Sequence, residues 1–167
     1  MENITEKEPV LFTKDTAKTY SLIGAIHALN PSVSIKVIEK KVDGLLEESI
    51  SNIEDLNSKL KESDVGVSLR AKDIIEGNRF EEYMNVLNSG RAIIASCTLH
   101  NDKEEKVHYI ALAKAHDEIV MMDPNTKLGY ANRDILKDML NEGMEIEYLG
   151  YGNISFNDNP IIVVEKV

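Results

Sequence analysis

Tryptophan is absent from the chain, and cysteine occurs once, at position 97. One cysteine excludes an internal disulfide, so packing alone must hold the fold, and a reducing compartment is the simplest setting. Basic clusters are missing as well: 19 Lys and Arg stand against 29 Asp and Glu, a formal net charge of −10. Nucleic acid is therefore not an expected partner, because neutralising phosphates needs a basic patch. No uninterrupted apolar run approaches bilayer length, so no membrane association is expected. The opening residues, MENITEKEPVLF, lack the basic start and apolar stretch of a cleaved secretion signal. Cytoplasmic synthesis is expected, and secretion without a cleaved signal stays open.

What is present suffices for a domain that folds by itself. With 167 residues, 43% hydrophobic and 29% charged, the chain can bury a substantial core, and a single domain over residues 1–167 is expected. The acidic balance suits a basic protein surface as partner, or serves solubility alone.

Periodicity divides the chain near its middle. KDTAKTYSLIGAIHALNP, residues 14–31, has helical spacing, with Tyr20, Gly24 and Ala28 in one stripe and Leu22, Ile26 and Leu29 beside it. Asp15 or Thr16 can cap it, and Asn30-Pro31 ends it. Residues 34–62 read as one or two helices interrupted near Asp43-Gly44, a shorter segment follows over Val67 to Ile75, and Arg79 to Asn88 reads as another amphipathic helix. After residue 90 the runs RAIIASCTLH, KVHYIALAK and EIVMMDP are β-branched and apolar, which predicts an antiparallel meander. NRDILKDMLNEG predicts a capped helix, MEIEYLGYG a further strand and PIIVVEKV a closing strand. Helices over about 1–90 and sheet over about 91–167 make an α+β plan.

Chemistry-bearing residues concentrate in VHYIALAKAHDEIVMMDP. A turn centred near Ala115-His116 pairs residues whose numbers sum to about 231 or 232, which sets His108 beside Asp123 or Pro124 across two strands. A carboxylate that orients an imidazole is half of a nucleophilic triad. The plainer alternative is a half-buried strand histidine near an Asp123-Pro124-Asn125 turn. Cys97, mid-strand, reads as a small buried hydrophobe, and Ser21 lies a full turn inside its helix, beyond the strongest influence of the helix N-terminus. His116, Asp117 and Glu118 lack a spaced metal-ligand motif and read as a solvated turn. Gly143, Gly150 and Gly152 read as turn or bulge residues. The first turn of the 14–31 helix is where a thiolate would be best stabilised, and Ala17 stands there.

The succession of DTAKTYSLIGAIHAL, a helical lobe and HYIALAKAHDEIVMMDP resembles the papain-like cysteine hydrolase superfamily, in particular its compact bacterial branches, the bacteriocin-leader peptidases and the effector glutamine deamidases. The resemblance implies a papain-like α+β fold, with a long nucleophile-bearing helix on a C-terminal antiparallel sheet. It makes His108 the general base, Asp123 the orienting acid and Ala17 the nucleophile position, where the family carries cysteine. It implies hydrolysis of an amide bond in a protein or peptide substrate, without metal or organic cofactor. The departure at Ala17 implies either a replaced nucleophile or a relative that keeps the fold for binding. A side-chain oxyanion donor is not evident: Leu11 and Phe12 occupy its neighbourhood, and Thr13 is the nearest hydroxyl.

Overall fold

The computed structural model describes residues 12–75, 77–125, 130–148, 150–158 and 160–167. Among them the chain forms α1 (Ala17–Leu29), α2 (Ile35–Leu45), α3 (Ile53–Ser63), β1 (Val67–Lys72), α4 (Arg79–Asn88), β2 (Ala92–His100), β3 (Glu105–Ala115), β4 (Glu118–Met122), β5 (Tyr130–Ala131), α5 (Arg133–Asn141), β6 (Ile146–Tyr148), β7 (Gly152–Phe156) and β8 (Ile161–Lys166). The expected α+β class holds, with antiparallel pairing throughout the described strands. No helix among the described residues is long and apolar enough to cross a membrane.

Eight strands make one sheet in the order β1-β8-β2-β3-β4-β5, with β7 added beside β2 and β6 beside β7. The expected meander is β2-β3-β4. The last strand does not close an edge but lies between β1 and β2. Its sequence suits that place, since Ile161, Ile162, Val163 and Val164 are all buried, as an interior strand covered on both faces requires. The segment from Val67 is an edge strand of this sheet, so the helical half contributes to the sheet half.

Helices cover both faces. α1, α2 and α3 enclose a core of Phe12, Leu22, Ile26, Ile38, Leu56 and Leu60 against Ile94, Ala111 and Val164. On the other face Tyr83 and Leu87 of α4 and Leu136, Met139 and Leu140 of α5 pack on Ile93, Cys97, Ile110 and Leu112. Burial of each large apolar side chain contributes about 1.5–3 kcal/mol against the entropy of ordering the chain.

Two local expectations are corrected. Gly44 does not interrupt a helix: α2 runs through it, and the break falls at residues 46–52, where Asn52 caps α3 by accepting from the Asp55 N–H. In α1 the buried residues are Thr19, Ser21, Leu22, Ile23, Ala25 and Ile26, whereas Tyr20 stays on the outside with its hydroxyl on Asp15. The helix is enclosed on most sides, and a helix so enclosed shows no clean stripe.

Candidate active site

α1 begins at position 17. Thr16 is its N-cap, with extended backbone (φ −110°, ψ 159°) and a hydroxyl that accepts from the Thr19 N–H. Thr16 and Thr19 both donate their hydroxyls to the Thr13 carbonyl, at 2.9 and 2.7 Å, which fixes how the chain enters the helix. Phe12 anchors that entry by exchanging backbone hydrogen bonds with Ile50. Ala17 itself is half-buried in the first turn, which holds no acidic residue. The Thr13 hydroxyl, the nearest candidate for an oxyanion donor, pairs with Ser49 at 3.0 Å, and Leu11 lies outside the described residues.

The second part of the site comes from the β3–β4 hairpin. Its ladder pairs Ala111 with Met122 and Ala115 with Glu118, so paired numbers sum to 233, and the two-residue turn is His116-Asp117. The expected register is therefore corrected by one or two residues. The turn sits there because His116 takes the left-handed conformation (φ 59°) that a two-residue connection demands. Extended by one pair, this register sets Asp123 opposite Ile110, and His108, two residues along β3, lies on the same face as Ile110. His108 thus meets Asp123 diagonally, as a long side chain can. Nε2 of His108 is 3.1 Å from Oδ1 of Asp123, and both residues are 4% exposed.

Asp123 is surrounded by donors. The Asn125 N–H reaches Oδ1 at 2.7 Å, and the Tyr148 hydroxyl lies 2.9 Å from Oδ2 and 3.0 Å from Oδ1. Burial pushes the carboxyl pKa up, but the hydrogen bonds from His108, the Asn125 N–H and Tyr148, with the His108 charge, outweigh it and hold it below the ordinary carboxylate range. An ionised Asp123 accepts the Nε2 proton, so the neutral ring is held as the tautomer whose Nδ1 is the basic nitrogen. The ring of Tyr148 stands edge-on to the imidazole at 5.9 Å. Sequence reasoning missed Tyr148, since nothing in IEYLGYG marks a strand that returns to the meander.

α1, which opens at position 17, packs against β3 and the end of β4. Lys18 places Nζ 4.7 Å from the centre of the Tyr109 ring, Ser21 donates to the Tyr109 carbonyl at 3.0 Å, and a Cβ built on Gly24 would lie 3.5 Å from Sδ of Met122. α1 therefore runs along β3, with Lys18 and Ser21 against Tyr109 and Gly24 beside Met122 at the end of β4. Alternation assigns Tyr109, Ala111 and Ala113 to the α1 face and His108, Ile110 and Leu112 to the α4–α5 face. The β3–β4 ladder stops at Ala111–Met122, so β4 supplies no partner beside His108. By this alternation α1 and the His108 imidazole lie on opposite faces of β3.

The other nucleophile candidates are occupied or shielded. Ser21 is 1% exposed, and its hydroxyl ties α1 to β3. Cys97 lies directly opposite His108 on β2 and is fully buried. Burial first, and the charge of Asp123 second, push its thiol far above the ordinary range. A thiol so held does not ionise near neutrality. His116, Asp117 and Glu118 are exposed at the hairpin turn. Gly143 and Gly150 have positive φ (73° and 81°), as turn residues. Gly152 opens β7 and lets it pass close to the His100 carbonyl, where a Cβ would lie 2.2 Å from the oxygen.

No protein-family model matches the chain, and no curated protein matches it.

Proposed function

We propose that this chain is a papain-like scaffold for a cysteine hydrolase that acts on an amide bond of a protein substrate, with the nucleophile position occupied by Ala17. The carrying observation is the buried His108–Asp123 pair, Nε2 to Oδ1 at 3.1 Å, on the strand against which the first turn of α1 packs through Lys18 and Tyr109. Buried ionisable groups are costly unless used or fully paired, and this pair leaves the imidazole Nδ1 as its basic atom.

With cysteine at position 17, Nδ1 of His108 would take the thiol proton and the thiolate would attack the amide carbonyl carbon. The imidazolium would then return the proton to the leaving nitrogen, leaving a thioester. Water, deprotonated by the same imidazole, would cleave the thioester to a carboxylate and restore the thiol. Asp123 would steady the imidazolium throughout. The backbone N–H groups of the first turn of α1 are the donors for the oxyanion. This chemistry serves a selective protease or a glutamine deamidase equally, and an acidic chain of this size suits a bacterial effector directed at one protein partner.

Ala17 itself favours a second reading, a pseudoenzyme that binds a peptide or protein in the groove and cleaves nothing. Ala17→Cys separates the two. The unsubstituted chain and the variant are treated with a thiol-reactive amide probe, and labelling is located by peptide mass. Labelling at position 17 faster than a free thiol, and lost in His108→Ala, supports the hydrolase. Labelling no faster than a free thiol leaves the binding module.

A further inference from the structure

We propose that Tyr148 is the positioning residue of the His108–Asp123 pair, holding the carboxylate by its hydroxyl and the imidazole by its ring. A carboxylate at the end of a two-strand ladder has a free χ torsion unless something outside the hairpin restrains it, and Asp123 follows directly on the last residue of β4. The Asn125 N–H restrains one oxygen from the same turn. Among the described residues, a restraint from elsewhere in the fold is the Tyr148 O–H, donated to the carboxylate at 2.9 Å from β6, 25 residues away in sequence. With Oδ2 held, Oδ1 is turned toward Nε2 of His108.

The tyrosine ring completes the arrangement. It stands at 68° to the imidazole plane with centroids 5.9 Å apart, an edge-to-face contact that limits rotation of the histidine ring. Tyr151 backs it at 6.3 Å and 86°, and its own hydroxyl is bonded to Glu104. Tyr148 is 6% exposed, and a buried phenol requires an acceptor, here the ionised Asp123. One side chain thus contacts both members of the pair, and the carboxylate it holds sets the tautomer. The consequence for catalysis rests on the hydrolase reading, whereas the positioning itself does not.

The test uses the unsubstituted chain labelled with ¹⁵N-histidine, the His108 signals being assigned by their loss in His108→Gln. The expected result is a single tautomer with a slowly exchanging Nε2 proton and a protected Tyr148 hydroxyl proton that cross-relaxes with the His108 ring. In Tyr148→Phe, which keeps the ring, exchange of the Nε2 proton should accelerate about tenfold or more while the backbone amides of β2 and β3 keep their rates. Unchanged Nε2 exchange, or acceleration shared by those amides, overturns the proposal. If Tyr148→Phe does not fold, the unsubstituted chain still decides: an unprotected hydroxyl proton, or none near the His108 ring, overturns it. Adding Tyr148→Phe to Ala17→Cys should slow probe labelling at position 17. If Ala17→Cys alone labels no faster than a free thiol, the hydrolase reading falls while the imidazole measurement stands.

Discussion

His108 and Asp123 meet diagonally across the β3–β4 hairpin, Nε2 to Oδ1 at 3.1 Å, although the ladder that carries them ends one pair earlier. A buried pair held in this way has consequences for both stability and reactivity.

Replacing His108 by Ala leaves an ionised Asp123 buried with one donor fewer. Stability should fall by about 3–5 kcal/mol, as for other broken buried pairs. Asp123→Asn keeps the shape but gives up the charge, and a smaller loss of about 1–3 kcal/mol is expected. Urea unfolding followed by far-ultraviolet circular dichroism measures both, and equal losses would contradict the assignment.

Acid should act through Asp123. Its folded pKa is lowered, so its contribution is fully present above the unfolded value of about 3.9 and is lost as pH falls through the lower folded value. The stability difference between the unsubstituted chain and Asp123→Asn should therefore be constant near neutrality and shrink below about pH 4. Urea midpoints measured from pH 7 downward check the sign.

Cys97 should resist modification. Its thiol is buried and its pKa raised, so an alkylating reagent should label it only as fast as the protein unfolds. The unfolded thiol ionises near pH 8.5 while the folded one stays protonated, so Cys97 costs stability as pH rises above that value. Labelling of the native chain at the rate of a free thiol would refute the burial.

Gly152→Ala should distort the β2–β7 contact, because the new methyl would lie 2.2 Å from the His100 carbonyl oxygen and 2.8 Å from the Asn101 Cβ. A loss of about 1–3 kcal/mol is expected, and the melting temperature should fall by several degrees. Since β7 carries β6 and hence Tyr148, the same substitution should speed exchange of the His108 Nε2 proton.

Asn57 supplies a fifth check. Its side chain in α3 donates to the Leu69 carbonyl and accepts from the Leu69 N–H, both at 2.8 Å, and so stands in for a strand along the edge of β1. Asn57→Ala should lower stability by about 1–3 kcal/mol and expose an edge that promotes self-association. Light scattering across a concentration series checks the second effect.

Much of the layout was legible in the sequence because it is local. Thr16 before an apolar helical run sets where α1 starts, and the β-branched runs after residue 90 set the meander. The approach of His108 to Asp123 was legible as well, since a two-strand hairpin with a short turn leaves few registers. The register itself was misplaced, because whether His116 or its neighbour takes the left-handed conformation is not written in composition.

Other features depended on contacts distant in sequence. Insertion of β8 between β1 and β2, the edge cover from Asn57 and the return of Tyr148 to Asp123 join segments many residues apart. Such pairings are chosen by the total burial and hydrogen bonding of the folded chain, which no short pattern encodes. The sequence alone determined that position 17 is alanine, that Cys97 is the one thiol and that an imidazole precedes an apolar hairpin ending in aspartate. Only the tertiary structure decided which face the imidazole takes, what holds its carboxylate and which serine and cysteine are closed to chemistry, because strand alternation and burial act after the sheet is assembled.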